Sequence, residues 1–343
     1  MTPRVSLILL AGVAAVVGLG FLIGRPAPPP APPSSAPSAD DLSQAEAQAR
    51  EAFARAPNDG PAALRLARIL RLRGNYPEAQ LALGQAGRLG VPENDGRKEA
   101  VLLLTTGDWP PQVEGMFQRV VRDNPTDAEV LLAVGKAYAT KGRTVEAEKV
   151  LSQLVALDPN RLEWRYARGE ARMKAGDYEA AIQDLRPVVQ AEPANYSARL
   201  FLANSLLGDA QMAEAETHLI VCRDVHPAAA DPLIGLGKCA IEKNDLDKAE
   251  NLLQRASQLE PFSVFALQEL ASLALLRQRT ADAIAVLDRI VTLDPDNRTA
   301  HFQLAQSLLA VGRRDDSRKH ELRYQELDRR EEERLLIRRG GMR

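Results

Sequence analysis

Aromatic residues and cysteines are scarce in this sequence. Phe, Trp and Tyr together make up 4% of the 343 residues, and the chain has two cysteines. Two cysteines cannot build a disulfide framework, so the fold must be stabilised by packed apolar area. The apolar content of 45% is therefore supplied largely by alanine and leucine, which have high helix propensity. These absences favour an all-helical protein.

The sequence also lacks a basic excess and catalytic signatures. Its formal net charge is −2, whereas a nucleic-acid-binding protein carries a basic excess on one face, so we expect no nucleic-acid partner. Gly235–Ala240 resembles part of a phosphate-binding loop, but Pro232 stands in place of the required glycine and Cys239 in place of Ser or Thr. No nucleophile elbow, paired metal-ligand motif or dinucleotide fingerprint occurs. We predict a protein that is not an enzyme and that holds no cofactor and no metal.

One group of metal-ligating residue types leaves alternatives open. His218, Cys222 and His226 are spaced four residues apart, and Cys239 follows on the next predicted helix. The spacing is compatible with zinc, with a Cys222–Cys239 disulfide, or with two unpaired thiols. The predicted burial of Cys222 and exposure of His218 favour unpaired thiols.

One long apolar run stands near the N-terminus. Val5–Gly24 contains 20 residues without a charge, after a tail of residues 1–4. A helix of this length is about 30 Å long and spans the hydrocarbon core of a bilayer. We predict an uncleaved signal-anchor in the inner (cytoplasmic) membrane, with a cleaved signal peptide as the alternative. The run has one basic residue on each side, so the N-terminal amine decides the predicted orientation. We expect a single-pass protein whose N-terminus is cytoplasmic and whose repeat domain is periplasmic. The alternative is a repeat domain that faces the cytoplasm.

The anchor and the segment after it carry two further patterns. Gly20 and Gly24, like Ala14 and Gly18, have the spacing that lets two membrane helices approach, which predicts a weak homodimer contact. Residues 25–40 then contain prolines at 26, 28, 29, 30, 32, 33 and 37. We expect them to form an extended, semi-rigid linker.

The rest of the chain is periodic. Prolines recur every 34 residues from Pro125 to Pro295, and Pro57 fits the same phase. With each proline at position 32 of a unit, positions 8 and 20 hold small residues and apolar residues recur at helical spacing. Each unit therefore predicts two helices, joined by a turn with a positive-φ Gly or Asn and ended by the proline. The expected N-caps of the following helices are Asp127, Asn160, Asn195, Ser263 and Asn297.

This pattern resembles the tetratricopeptide repeat family, over seven full units at residues 60–297. The resemblance implies an all-α superhelical solenoid with capping helices, behind the N-terminal transmembrane helix. Residues 41–59 are expected to form a capping half-repeat, and residues 298–343 a degenerate eighth repeat with a charged C-terminal helix. Local departures are Val91 in place of a proline, a distorted turn at Gly107–Gln112, and Arg168 and Arg172 at usually apolar positions.

The resemblance also implies a ligand site, because the first helices of this family line a concave groove through positions 2, 5, 9 and 12. The groove residues predicted to bind a protein or peptide partner are Tyr166, Met173, Leu200, Asn204, Leu207, Ile234, Lys238, Ile241, Leu275 and Phe302. Most are apolar, which suits an amphipathic helix or an extended apolar peptide, and equally suits packing between neighbouring first helices. Arg65, Arg68, Arg71 and Arg73 form a basic patch that faces acidic lipid, an acidic partner or solvent alone.

Bacterial single-span, membrane-anchored scaffolds of this family, which the chain resembles, serve as assembly factors or periplasmic chaperones. We therefore expect a non-enzymatic, chaperone-like adaptor that binds its partner during envelope complex assembly. Two alternatives stay open. One is an adaptor of the cytochrome-c-maturation type that captures apocytochrome, and the other is a regulatory subunit of a separate enzyme.

Overall fold

The computed structural model describes residues 38–107 and 109–340, and within them it contains helices and no strand. Behind a lone helix, α1 (Ala39–Arg55), these residues form helix pairs. The first helices of the pairs are α2 (Gly60–Leu72), α4 (Glu93–Leu104), α6 (Ala128–Thr140), α8 (Leu162–Ala175), α10 (Tyr196–Gly208), α12 (Asp231–Glu242), α14 (Val264–Leu276) and α16 (Arg298–Ala310). The second helices are α3 (Tyr76–Arg88), α5 (Glu114–Asp123), α7 (Thr144–Leu157), α9 (Tyr178–Ala191), α11 (Met212–Val225), α13 (Leu246–Leu259), α15 (Thr280–Leu293) and α17 (Arg314–Gly340).

The pairs stack in chain order. Each first helix packs on its own second helix, and each second helix packs on the first helix of the following pair. Consecutive first helices from α2 to α14 also contact one another, as α6 does with α8 and α12 with α14. A layer of first helices therefore lies against a layer of second helices, and the chain forms the all-helical superhelical solenoid that its period predicts.

Within a pair, the two helices approach closely where a small residue faces a large one. A Cβ atom on Gly135 of α6 would lie 2.6 Å from Cγ of Leu151 on α7, well inside van der Waals contact. Gly169 and Gly237 stand in the same relation to Leu185 and Leu253, at 2.7 and 2.8 Å. These leucines are fully buried, so a larger residue at position 8 of the unit would push the helices apart.

Seven of the eight turns between paired helices are built around one residue with positive φ, and the described residues of the α4–α5 turn contain none. Glycines hold this place, with φ of 67–81°, at Gly74, Gly142, Gly176 and Gly312. Asn244 holds it with φ of 58°, as the sequence predicts. Ala210 and Gln278 also adopt φ of 58° and 60°, which the sequence could not indicate because such side chains are uncommon in the left-handed region.

Most of the predicted N-caps are confirmed. Asp127, Asn195, Ser263 and Asn297 each accept a hydrogen bond from the backbone N–H three residues later. The prediction for Asn160 is wrong, because it lies one place too early in the unit. The N-cap of α8 is Arg161, whose side chain makes no capping bond.

The second pair is distorted, as the sequence predicts. A 3-10 turn at Pro111–Val113 precedes α5, which has 10 residues where a second helix usually has 13 or 14. Trp109 lies just before this turn and is 7% exposed, with its ring centroid 4.9 Å from that of Phe117 and 6.0 Å from that of Tyr138. The indole thus fills core space beside the shortened helix.

The two arginines of the fourth unit are accommodated by an acidic partner in the core. Arg168 donates two hydrogen bonds, of 2.7 and 2.6 Å, to the Asp184 carboxylate, and Arg172 donates a third of 2.9 Å. Asp184 on α9 is 2% exposed. One buried carboxylate therefore compensates two cations at positions that other units fill with apolar side chains.

The two ends of the solenoid differ in length and polarity. α1 buries Ala49 against α2 and turns polar residues outwards. α17 has 27 residues, about twice as many as other second helices. Leu-Asp-Arg at 327–329 replaces the Leu-Asp-Pro that ends the previous unit at 293–295. Because arginine stands where the helix-breaking proline is expected, the helix continues to Gly340.

The predicted membrane anchor Val5–Gly24 and most of the proline-rich linker lie outside the described residues, so they stay predictions. In the part of the chain that the structure covers, no helix is both long and apolar enough to cross a bilayer. α1 begins at Ala39, two residues before the predicted half-repeat, which is a usual difference at a helix end.

The Asp184 network leads to a stability prediction. We expect Asp184→Ala to lower the free energy of unfolding by about 3 kcal/mol or more, because the partly buried Arg168 loses its counter-charge and Arg172 keeps only Glu148, at 3.2 Å. Replacing Asp184, Arg168 and Arg172 by leucine should restore most of the stability, since it returns these positions to apolar packing. Urea unfolding followed by circular dichroism measures both effects.

Glu51→Ala is the matched control for this experiment. It removes an ion pair with Arg55 whose side chains are 62% and 76% exposed, so we expect a change below about 0.5 kcal/mol. An Asp184→Ala variant that is as stable as Glu51→Ala would contradict the assigned role of the network.

The length of α17 leads to a second prediction. Arg329→Pro should end the helix near Asp328, because proline lacks the backbone donor and clashes with the preceding turn. Amides at 330–340 should then lose protection in hydrogen exchange, and far-UV circular dichroism should weaken. Arg329→Ala, which keeps the backbone donor, should leave the helix intact. Equal protection in the two variants would show that Arg329 does not control the helix length.

Candidate functional site

The first helices present one common surface, and ion pairs between different repeats define it. Glu129, at position 2 of its unit on α6, accepts hydrogen bonds of 3.1 Å from Arg68 and 2.8 Å from Arg71 on α2. Those arginines hold positions 9 and 12, two units earlier. Positions 2, 9 and 12 of the first helices therefore share a face.

Charged pairs occupy the N-terminal half of this face. The side chain of Arg71 is 9% exposed and lies between Glu99, at 2.6 Å, and Glu129. Burial alone would lower the pKa of Arg71, but the hydrogen bonds that its guanidinium donates to both carboxylates raise it. Lys98 is paired in the same way with Asp127. These charges compensate one another and leave little apolar surface for a ligand.

The four arginines of the basic patch all have acidic neighbours within the chain. Besides Arg68 and Arg71, Arg65 lies 3.7 Å from Asp59, and Arg73 pairs with Glu46 of α1. The patch is therefore largely neutralised where the chain is described. Its pairs also fix α1 and α4 to α2.

The C-terminal half of the face carries most of the predicted groove residues. The partly exposed ones are Tyr166, Met173, Asn204, Leu207, Ile241 and Leu275. Tyr166 on α8 packs against Phe201 on α10, with ring centroids 5.9 Å apart. Met173 and Leu207 contact the same core cluster, and Ile241 contacts the next one. An apolar strip thus runs across α8, α10, α12 and α14.

Four predicted groove residues stand in other surroundings. Leu200 and Ile234 are each 8% exposed, so they pack between helices and offer a ligand little surface. Lys238 is exposed but forms an ion pair of 2.8 Å with Glu269 on the next first helix. Phe302 is 43% exposed and lies at the last pair, 5.2 Å from the ring of Tyr324 on α17. The apolar strip is therefore narrower than the sequence predicts.

One exposed aromatic group was missed from the sequence. Phe265 at the start of α14 is 80% exposed, and Phe262 in the preceding turn is 78% exposed. Phe265 holds position 2 of its unit, where the other units carry Pro, Asp, Glu, Ser or Thr. Comparing position 2 across the units could have revealed Phe265, because an aromatic residue at a position that is otherwise mostly polar has no packing role there. Phe265 adds an aromatic side chain to the edge of the strip.

A separate cavity lies in the layer of second helices. It has a volume of about 660 Å³ between α5 and α7, with Gly115, Val150 and Gln153 among its lining residues. Tyr138 also lines it, and its buried hydroxyl has no hydrogen-bond partner in the described part of the chain. Burial raises the pKa of Tyr138 to about 12. The cavity borders the shortened α5, and none of the predicted groove residues is among its lining residues.

The cysteines and histidines form no metal site where the chain is described. Cys222 and Cys239 are buried and unpaired, and burial raises the pKa of Cys222 to about 11. His218 lies 3.3 Å from Arg199, and the ring of His226 packs edge-on against Tyr196. Among residues 38–107 and 109–340, no cluster of three or more His, Cys, Asp or Glu could hold a metal ion.

Comparison with known proteins finds sequence matches to repeat families and to repeat-containing proteins. Two family models, both described as tetratricopeptide repeat, match residues 112–171 and 172–221, and residues 234–298 and 269–331. The chain is 25% identical over 199 residues to the BBSome complex member BBS4 of Bos taurus, covering 57% of this chain and 37% of that protein. It is 29% identical over 212 residues to cellulose synthase 2 operon protein C of Komagataeibacter xylinus, covering 61% of this chain and 16% of that protein. The chain thus spans well under two thirds of these relatives.

Solved structures of low sequence identity share the fold. The APC/C hetero-tetramer Cut9–Hcn1 matches with a TM-score of 0.54 and 18% identity, covering 84% of this chain and 56% of that chain. A monomeric mutant of IFIT1 with Gppp-AAAA matches with a TM-score of 0.52 and 16% identity, covering 84% and 74%. The 34-residue register, the stacked helix pairs and the family models, which together match more than half of the sequence, agree. The chain belongs to the tetratricopeptide repeat family.

Proposed function

We propose that the protein is a non-enzymatic adaptor, anchored in the membrane by residues 5–24, that binds a protein or peptide partner on its first-helix face during assembly of an envelope complex. The contact lies in the C-terminal half of that face, on the strip formed by Tyr166, Met173, Leu207, Ile241 and Leu275. Asn204 lies beside the strip as a polar contact that orients the ligand, and Lys238 can act in the same way only if it leaves its ion pair with Glu269.

The observation that carries the proposal is the difference between the two halves of the face. Towards the N-terminus, Arg71 and Lys98 are already satisfied by carboxylates of the same chain. Towards the C-terminus, the strip residues keep part of their apolar surface exposed on four consecutive first helices. Apolar side chains that stay partly exposed on neighbouring helices in this way favour a partner-binding surface.

The chemistry of the strip defines the ligand class. Its side chains are aliphatic or aromatic and lie on rigid helices, so a ligand gains affinity by burying apolar groups against them. An amphipathic helix fits because its apolar face can lie along the strip, and an extended apolar peptide fits because it can place alternate side chains on the strip. Phe265, which is 80% exposed, extends the contact at its C-terminal edge.

The relatives support a role within assemblies. BBS4 is a member of the BBSome complex, and Cut9–Hcn1 is a hetero-tetramer of the APC/C. The cellulose synthase 2 operon protein C is a bacterial relative. They support a protein-binding role for the repeats here, while the partner and the membrane attachment belong to the proposal.

Photo-crosslinking in living cells tests the proposal. A photoreactive residue in place of Ile241 should capture one dominant partner, or a set of secreted clients, which mass spectrometry then identifies. The compartment of the captured proteins also reports which side of the membrane the repeats face. The control is the same residue in place of Leu253, which is fully buried. No capture above this control would contradict ligand binding on the strip.

A second change in the same strain sharpens the test. Leu207→Glu should lower the crosslinking yield from position 241 by about tenfold or more, because a carboxylate on the strip opposes apolar burial. Leu81→Glu is the matched control, since Leu81 is 71% exposed on α3, outside the strip. Equal losses from both variants would point to general destabilisation and away from the strip.

A further inference from the structure

Position 24 of the unit behaves differently in the last pair. From the second to the seventh unit this residue is fully buried, and its identities are Phe117, Leu151, Leu185, Leu219, Leu253 and Leu287. In the eighth unit the residue is Glu321 on α17, whose side chain is 47% exposed. The substitution thus places a carboxylate at a point that is usually the centre of the packing.

Two neighbours normally cover this position. One is the small residue at position 8 of the same pair, as with Gly237 and Leu253. The other is the first helix of the next pair, since a Cβ atom on Gly235 of α12 would lie 2.8 Å from Leu219 of α11. Gly235 holds position 6 of its unit. Among the described helices α17 packs on α16, and the half-exposed Glu321 side chain has no cover of this second kind.

The uncovered surface is concave and largely apolar. Phe302 and Leu309 on α16 are 43% and 57% exposed, seven residues apart on one side of the helix. With Ala305, Glu321 and Tyr324 they line a concavity of about 300 Å³ between α16 and α17. We call this surface the end face. The opposite end of the solenoid is closed by the polar outer side of α1, which is the usual way to stop a repeat array from associating.

We propose that the end face is a docking site for a single amphipathic helix of a partner protein, which takes the place of a ninth first helix and carries a Lys or Arg opposite Glu321. The end face corresponds to the interface that joins each of the preceding second helices to the first helix of the next pair. A helix is therefore the element that fits it. This site is distinct from the strip on the first-helix face.

The charge of Glu321 selects the partner. In the internal junction of α11 and α12, position 24 faces position 6 of the incoming first helix. A basic residue at position 6 of a docked helix would meet the Glu321 carboxylate while its apolar face covers Phe302 and Leu309. Arg318 approaches Glu321 only to 3.5 Å and is itself 69% exposed, so it leaves the carboxylate available. Two end faces of different copies would instead bring two Glu321 carboxylates into one apolar interface.

The chain itself supplies a suitable probe. α2 is a first helix that buries Ala63, Leu66 and Leu70 on one side and has a basic residue, Arg65, at position 6. A labelled synthetic peptide with the sequence of residues 60–72 should bind the full-length protein saturably in fluorescence anisotropy. Glu321→Arg should weaken this binding by about tenfold or more, and an Arg65→Glu peptide should restore binding to that variant.

Controls separate this site from the strip. Glu332→Arg makes the same charge change at an exposed residue of α17 that does not line the concavity, and should leave peptide binding unchanged. Leu207→Glu, which acts on the strip, should also have no effect. Absence of saturable binding, or a charge exchange without rescue, would overturn the proposal. A protein that is dimeric in light scattering and becomes monomeric on Leu309→Asp would overturn it too, because a second copy would then cover the end face.

Discussion

The contact between a small residue on a first helix and a buried leucine on its second helix, as in the pairs α6–α7, α8–α9 and α12–α13, is the constraint on which this structure depends. Gly135, Gly169 and Gly237 bring the paired helices so close that a Cβ atom would lie 2.6–2.8 Å from the facing leucine. With few aromatic residues available, the solenoid gains its packing density from this close approach. The same contact, repeated every 34 residues, sets the first helices side by side and so creates the face that a ligand can use.

Charge then divides the surfaces that the stack produces. In the N-terminal half, Arg71 forms ion pairs with Glu99 and Glu129 and so joins neighbouring repeats. The charged groups there are thus already paired within the chain. The C-terminal half has few such pairs, and its partly exposed Leu207, Ile241 and Leu275 stay apolar. The last pair adds a surface of a different kind, where Phe302 and Leu309 are exposed and where we propose that a partner helix binds. The two proposed contacts therefore follow from where ion pairs are present and where the repeat stops.

The helix pairs, their order and most caps could be predicted from the sequence, because proline, small residues and Asn, Asp or Ser act locally and recur in phase. Predictions about side-chain exposure were less reliable. Leu200 and Ile234 are buried at positions that elsewhere leave side chains partly exposed, since the depth of a residue depends on the neighbouring repeat.

The pairing of Arg168 and Arg172 with Asp184 could not be predicted, because it joins residues 12 and 16 apart on different helices. The extension of α17 had a visible cause at Arg329, whereas the exposure of Phe265 showed only in the comparison of one column of residues.

The most direct test of the account is the stability of two glycine variants measured side by side by thermal unfolding. Gly135→Val should lower the free energy of unfolding by about 1–3 kcal/mol, because the new side chain collides with Leu151 across the helix pair. Gly84→Val makes the same change in α3, where the glycine is exposed and its nearest neighbour would be Nη1 of Arg88 at 3.9 Å. It should be neutral or slightly stabilising, because valine has the higher helix propensity. Equal unfolding temperatures for the two variants would contradict the claim that close helix approach holds the solenoid together.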